Sequence, residues 1–239
     1  MNLFISDLHL AESRPAANEA FFAFIEGKAR GAESLYILGD LFEYWVGDDD
    51  LGDPFNGVVA GFLRELSRAG VKLGVMQGNR DFLYGPGFGN ATGAALLPDP
   101  LVVELGGRRT LLMHGDTLCT RDTDYQAWRR KVHSDAFQKE FLSQPLAARR
   151  EMAMDAREQS AVAKGAKAME IMDVDDAAVR DALRRHGATL LIHGHTHRPG
   201  RHQLEVDGRR CERWVLPDWY GPGGYLEVSG GKPKLVRWR

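Results

Sequence analysis

Residues 1–10 read MNLFISDLHL, an apolar run from Asn2 to Ser6 that breaks at once into Asp7-Leu8-His9. A short apolar run bounded by polar residues reads as a buried strand. The same design recurs at Ser34–Leu38, Val71–Met76, Thr110–Met113 and Thr189–Ile192. Helical patterns lie between the first three runs. Pro15–Arg30 sets Ala17, Phe21, Phe24 and Ile25 on one face, and Pro54–Ala69 does so with Val58, Phe62, Leu63 and Leu66. The opening half therefore reads β-α-β-α-β, the order of an α/β fold.

Further along, turn residues join pairs of apolar runs. Gly106-Gly107 follows Leu101–Leu105, Asp207-Gly208 separates Gln203–Val206 from Glu212–Leu216, and Gly230-Gly231 separates Tyr225–Val228 from Lys234–Trp238. These are hairpin signals, so mixed sheets with outer helices are expected. From about 122 to 185 no strand signal appears, and the pattern is helix-rich, expected as a helical cap inserted into a single domain spanning 1–239. Residues 121–167 carry a charge of +3.

At 239 residues and 44% hydrophobic content, one sizeable core is allowed. The formal charge of −2 supplies no general basic field, so no nucleic-acid partner is expected. Cys119 and Cys211 alone make no disulfide framework and sit in no zinc-ribbon spacing, which favours a reducing cytosol. Asp7 interrupts the first apolar run, and no run reaches spanning length, so membrane contact is expected to be peripheral.

Five runs end in loops rich in metal-ligand residue types: ISDLH, LGD, QGNRD, MHGD and IHGHTH. In an α/β sheet, neighbouring strand ends open onto a common crevice, so residues distant in sequence can meet there. Asp7 and His9 can point to one side of an extended segment and share a cation. Asp40 has two oxygens and can touch two cations at once. Asn79 offers a neutral carbonyl oxygen, and Gly78 lets the backbone approach closely. His114 and His195 can complete the ligand set of a second cation, with His197 returning to the first cation. Taken singly, each of these reads more readily as a turn or core residue; their joint occurrence at successive strand ends carries the inference.

Carboxylate, amide and imidazole without thiolate suit Mn²⁺ ahead of Fe²⁺, Zn²⁺ or Mg²⁺. Two such ions roughly 3.5–4 Å apart activate water and stabilise in-line attack on phosphorus. Asp81 and Asp116 follow ligands closely and can orient them or simply form turns. Asp48-Asp49-Asp50 reads as a solvated acidic loop, and His133, His186 and His202 as surface or packing residues.

The set DLH, GD, GNRD, HGD and GHTH resembles the calcineurin-like metallophosphoesterase superfamily over residues 7 to 197, in the expected order. The longer strings ILGDLFEYWVGDDD, GNRDFL, LLMHGDTLCTRDTDYQAWRRKVH, IMDV and LIHGHTHRP resemble its branch that hydrolyses UDP-2,3-diacylglucosamine in lipid A biosynthesis. The resemblance implies two packed mixed β-sheets flanked by helices, with a helical cap. It also implies that the pyrophosphate is cleaved to UMP and 2,3-diacylglucosamine 1-phosphate (lipid X). Asp7, His9, Asp40 and His197 would bind one Mn²⁺, and Asp40, Asn79, His114 and His195 the other. Asn79, Arg80, Asp122, Ser160, Lys164, Lys167 and His195 would contact the acylated UDP-glucosamine lipid, with Asn79, Arg80 and His195 near the phosphoryl group. The location implied is cytoplasmic, peripheral to the cytoplasmic face of the inner membrane.

Arg80 replaces the histidine of the GNHE string that many superfamily phosphatases carry. A departing phosphomonoester needs little proton donation, and an arginine neutralises pyrophosphate oxygens, so the substitution favours a pyrophosphate over an alkyl phosphate. In the insert, Trp128, Val132, Phe137, Phe141, Leu142, Leu146, Met152 and Met154 accompany Arg149, Arg150 and Arg157. These apolar residues read first as helix packing; alternatively part of the face lines an acyl channel while the arginines meet anionic headgroups. A nucleotide or dinucleotide phosphohydrolase on the same core, or a non-catalytic binding scaffold, are the rival expectations.

Overall fold

In a computed structural model, which describes residues 1–166, 173–221 and 223–238 (side chains at 159 and 161–166 excepted), alternation along the strands builds a layered sandwich. Strands β1 (Asn2–Ile5), β2 (Ser34–Leu38), β3 (Lys72–Met76) and β4 (Ala95–Leu97) pair in parallel, while β10 (Gly224–Ser229) and β11 (Lys232–Arg237) extend that sheet antiparallel from β1. A second sheet has the order β5 (Leu101–Leu105), β6 (Arg108–Leu112), β7 (Leu190–His193), β9 (Arg209–Val215) and β8 (Gly200–Val206). Its three central strands are parallel and its edges antiparallel.

Successive side chains of a strand face opposite ways, and each sheet uses both faces. Phe4, Leu38 and Met76 of the first sheet meet Leu112, Leu190, Ile192 and Trp214 of the second in one apolar layer. Leu3, Ile5, Ile37 and Val75 point outward, onto Phe21 and Phe24 of α1 (Pro15–Glu26) and Leu63 and Leu66 of α2 (Pro54–Arg68). Leu111 and Leu191 are covered by Val179 and Leu183 of α7 (Asp176–His186). Because β1 to β3 are buried on both faces, they read as continuous apolar runs.

Local chemistry sets the helix starts. Asp53 accepts N–H bonds from Phe55 and Asn56, with Pro54 opening α2, and Asp175 accepts from Ala177 to start α7. Short α3 (Pro86–Thr92) and β4 lie between β3 and β5 without any forecast from the sequence. α3 holds two glycines, and β4 is three residues long with little burial, so neither leaves a periodic signal.

Three more helices, α4 (Thr123–Val132), α5 (Asp135–Leu142) and α6 (Leu146–Ala166), fill most of the stretch expected as a cap. They bury little: Val132 is the buried residue of α4, and α5 has none. Ion pairs anchor α6 instead. Arg149 is buried and makes a bidentate pair with Asp49 while donating to the Val46 carbonyl. Arg150 donates to Asp50 at 2.5 and 2.7 Å and to Asp53 at 3.2 Å, and Arg157 donates to Glu43 at 2.5 Å. The reading of Asp48-Asp49-Asp50 as a solvated loop is therefore corrected: only Asp49 is exposed, while Asp50 is fully buried and Asp48 accepts the Gly85 N–H. Arg149, Arg150 and Arg157 pair with Asp49, Asp50, Asp53 and Glu43, and the buried carboxylates among these need such partners. Among the described residues no helix is long and apolar enough to cross a membrane.

Candidate metal centre

The parallel strands β1, β2, β3, β6 and β7 each end two or three residues before a polar side chain aimed into one cluster. The loops after β1 and β2 keep pairing past the sheet, through Leu8 N and His9 N to the Asp40 carbonyl and Leu10 N to the Leu41 carbonyl. Aiming the side chains inward bends the backbone. Among the described residues only six non-glycines have positive φ, and five are Asp7, His9, Asp40, His195 and His197. Each such residue costs on the order of 1 kcal/mol or more, so the strain sits where the loops must turn into a shared site. Gly78 and Gly194 serve the same end, since a Cβ at either would collide with the carboxylate of Asp40 or Asp7.

Two triads offer ligand atoms mutually within 4.8 Å: Asp7, His9 and His197, and Asp7, Asp40 and His114. His9 Nε2 lies 3.5 Å from His197 Nε2 and 3.7 Å from Asp40 Oδ2, while His114 Nε2 lies 3.8 Å from Asp40 Oδ1. Asp40 thus turns one oxygen to each histidine. Asp7 is common to both triads, but both its oxygens accept the His195 N–H, at 3.0 and 2.9 Å. Asn79 Oδ1 joins the group at 3.1 Å from His114 Nε2 and 2.9 Å from His195 Nδ1. All seven residues singled out in the sequence meet here.

The electrostatics of so many buried donors are unbalanced. Burial, opposed by His114 and reinforced by Asp81 and Asp7, lifts Asp40 to about 7. Burial would lower His114, but Asp40, Asp116 and Asp7 outweigh it and raise it to about 9. Burial would raise Asp7, yet its bond to His197 and the charges of His197, His114 and His9 hold it well below the carboxylate range. Burial keeps His9 far below the usual imidazole value. A buried carboxylate whose charge is disfavoured by burial and by the neighbouring Asp81 and Asp7 fits a cationic occupant, and the oxygen-nitrogen donor set fits a borderline divalent ion.

Neighbouring groups hold the donors in place. Asp81, fully buried, accepts N–H bonds from Asp40, Leu41, Phe42 and Gly78 and the Tyr84 hydroxyl at 2.5 Å, so it ties two ligand loops together. Asp116 accepts the Tyr125 hydroxyl at 2.7 Å and Arg129 Nε at 2.5 Å, fastening α4 beside His195, whose ring is 5.8 Å from that of Tyr125. The His114 Nδ1–H can donate to the Leu38 carbonyl at 2.9 Å, leaving Nε2 for the cluster.

Arg80 donates its backbone N–H to Asp40 Oδ1 at 2.9 Å, while its buried side-chain Nε has no hydrogen-bond partner among the described residues. Asp122 is buried and caps α4 through Tyr125 N at 3.1 Å. Ser160 lies on α6, and no described contact joins it to the cluster. Lys164 lies on the same helix, but its side chain falls outside the described residues, as does all of Lys167. His133 packs on Phe82 with ring centroids 5.0 Å apart, a packing role as expected. Glu43, Tyr125, Asp218 and Tyr220 line or support the site without having been singled out. Tyr220 stands 5.2 Å from the His9 ring and 5.5 Å from the His197 ring.

Residues 3–199 match the calcineurin-like phosphoesterase family. The chain belongs to that family. A protein from Aromatoleum aromaticum named UDP-2,3-diacylglucosamine hydrolase is 51% identical over 98% of this chain and 95% of its own length. Relatives of the same name from Cellvibrio japonicus (48% identical, 99% and 98% covered) and an Enterobacter species (46%, 98% and 98%) match equally fully. The protein is thus a hydrolase of the metallophosphoesterase family, whose chemistry uses divalent metal ions, and the expected fold of two mixed sheets flanked by helices is the one it has.

Proposed function

We propose that this chain hydrolyses the pyrophosphate bond of UDP-2,3-diacylglucosamine, releasing UMP and 2,3-diacylglucosamine 1-phosphate in lipid A biosynthesis. The observation that carries this is identity near 50% along almost the whole length of relatives named for that hydrolysis. The convergence of all seven metal-type side chains on one buried cluster supports it.

Two Mn²⁺ ions are assigned to the cluster. Asp7, His9, Asp40 and His197 would hold one, and Asp40, Asn79, His114 and His195 the other. Asp40 would belong to both sets because its oxygens face different histidines, whereas those of Asp7 share one backbone N–H. When bound, such ions supply Lewis-acid polarisation of phosphoryl oxygens and activation of the attacking water. The chain's own residues position the rest. Arg80 neutralises the pyrophosphate with a guanidinium whose buried Nε makes no hydrogen bond among the described residues. Asn79 and His195 sit beside the phosphoryl group, and Asp122, Ser160, Lys164 and Lys167 contact the sugar and lipid.

Helices α4 to α6 act as the cap. Trp128, Leu142, Met152 and Met154 are all exposed large apolar residues on them, which suits acyl chains and a peripheral seat on the cytoplasmic face of the inner membrane. Incubating the Mn²⁺-loaded protein with UDP-2,3-diacylglucosamine and measuring UMP tests the assignment. Turnover of the acylated substrate well above that of deacylated UDP-glucosamine is expected, and no UMP, or equal rates on both, would refute it.

A further inference from the structure

The loop after β2 carries a buried carboxylate to which the metal chemistry gives no task. Glu43 is 3% exposed, and its Oε1 accepts Arg157 Nε from α6 at 2.5 Å. Among the described residues its Oε2 has no hydrogen-bond partner, and it lies 3.8 Å from His9 Nδ1, itself buried and likewise without a hydrogen bond. Leaving a buried polar atom unpaired costs about 1–3 kcal/mol, so two such atoms facing each other favour closing the gap. A shift of under about 1 Å brings them to hydrogen-bond distance.

His9 Nε2 points the other way, into the cluster. A neutral imidazole has one N–H, and holding it on Nδ1 leaves the Nε2 lone pair free. His114 has the same arrangement, with a carbonyl as its acceptor. At His9 the acceptor is a carboxylate that also receives a helix of the cap.

We propose that Glu43 is a positioning residue: it accepts the His9 Nδ1–H, so that Nε2 is the metal-binding nitrogen, and through Arg157 it links the seating of α6 to the strength of that metal site. The assignment rests on the two-cation reading above. A carboxylate behind a ligating histidine fixes the ring and raises its basicity, and its loss costs roughly 10–100-fold in metal affinity. When α6 lifts away, Glu43 loses Arg157 and with it part of the restraint on its own rotamer.

Full-length protein loaded with Mn²⁺ is equilibrated against a graded chelator series, reading metal per chain by mass spectrometry and melting temperature in parallel. The wild type holds two ions. Glu43→Ala gives up one of them at an affinity about 10–100-fold weaker and keeps the other. Glu43→Gln, whose amide oxygen still accepts the N–H, falls between. Arg157→Ala weakens the same ion by a smaller factor and adds nothing in the Glu43→Ala background. Both Glu43 variants holding two ions as tightly as wild type would overturn the proposal. Equal loss of both ions with a lowered melting point in Glu43→Gln would reduce Glu43 to a structural part and also overturn it. Unchanged affinity in Arg157→Ala would remove the link to α6. A wild type that binds fewer than two ions marks failure of the two-cation reading instead.

Discussion

The strand-end loops and the helices α4 to α6 are held by opposite means. The loops are buried and fixed by backbone: Asp7, Asp40 and His114 are each no more than 2% exposed, and Asp81 gathers donors from two loops. The helices have little core of their own and are fastened by Arg149, Arg150, Arg157 and Arg129 to carboxylates on the sheet side. Rigid chemistry and an adjustable cover are thereby separated. A cluster of metal ligands tolerates almost no displacement, whereas the cover proposed above for acyl chains would have to admit and release them.

Breaking the rigid half should have the largest effect. Asp40→Ala and His114→Ala are each expected to lower kcat at least about 100-fold, the scale of losing one electrostatic stabiliser at a reacting centre. Circular dichroism should show both variants folded, and near-native turnover in either would contradict the shared site. Next comes Asp81→Ala, which strips the charged acceptor from several buried donors. A loss of roughly 3–5 kcal/mol in urea unfolding is expected, with activity falling alongside.

In the cover, Arg149→Met leaves Asp49 without its partner and frees the start of α6. Hydrogen exchange should quicken along α5 and α6 while β1 to β3 stay protected. Uniform quickening would mean that the two regions are one cooperative unit. The smallest change is expected from Met154→Ser on the exposed face of α6. Its cost in binding to anionic vesicles should stay below the about 1.5 kcal/mol of a fully buried side chain, with hydrolysis of detergent-dispersed substrate unaltered.

Much of this was legible in the chain. The five ligand strings sit at strand ends whose apolar runs differ from the observed strands by only a residue or two, because strands buried on both faces carry an unmistakable hydrophobic signal. α3 and β4 were not legible, being short, glycine-bearing or exposed. The carboxylate partners of Arg149, Arg150 and Arg157 were not legible, because a basic helix face looks the same whether it meets lipid or a carboxylate a hundred residues away.

The sequence alone determined which residue types stand at the strand ends, and hence the family and its kind of chemistry, since strand periodicity and ligand identity are local properties. Tertiary structure decided what each side chain does. That Asp40 turns its oxygens to two different histidines, that Asp81 ties two loops, and that Glu43 stands between His9 and Arg157 all depend on distances between segments brought together only by folding. Hydrogen bonds and ion pairs reach only a few ångströms, so no spacing along the chain could reveal them.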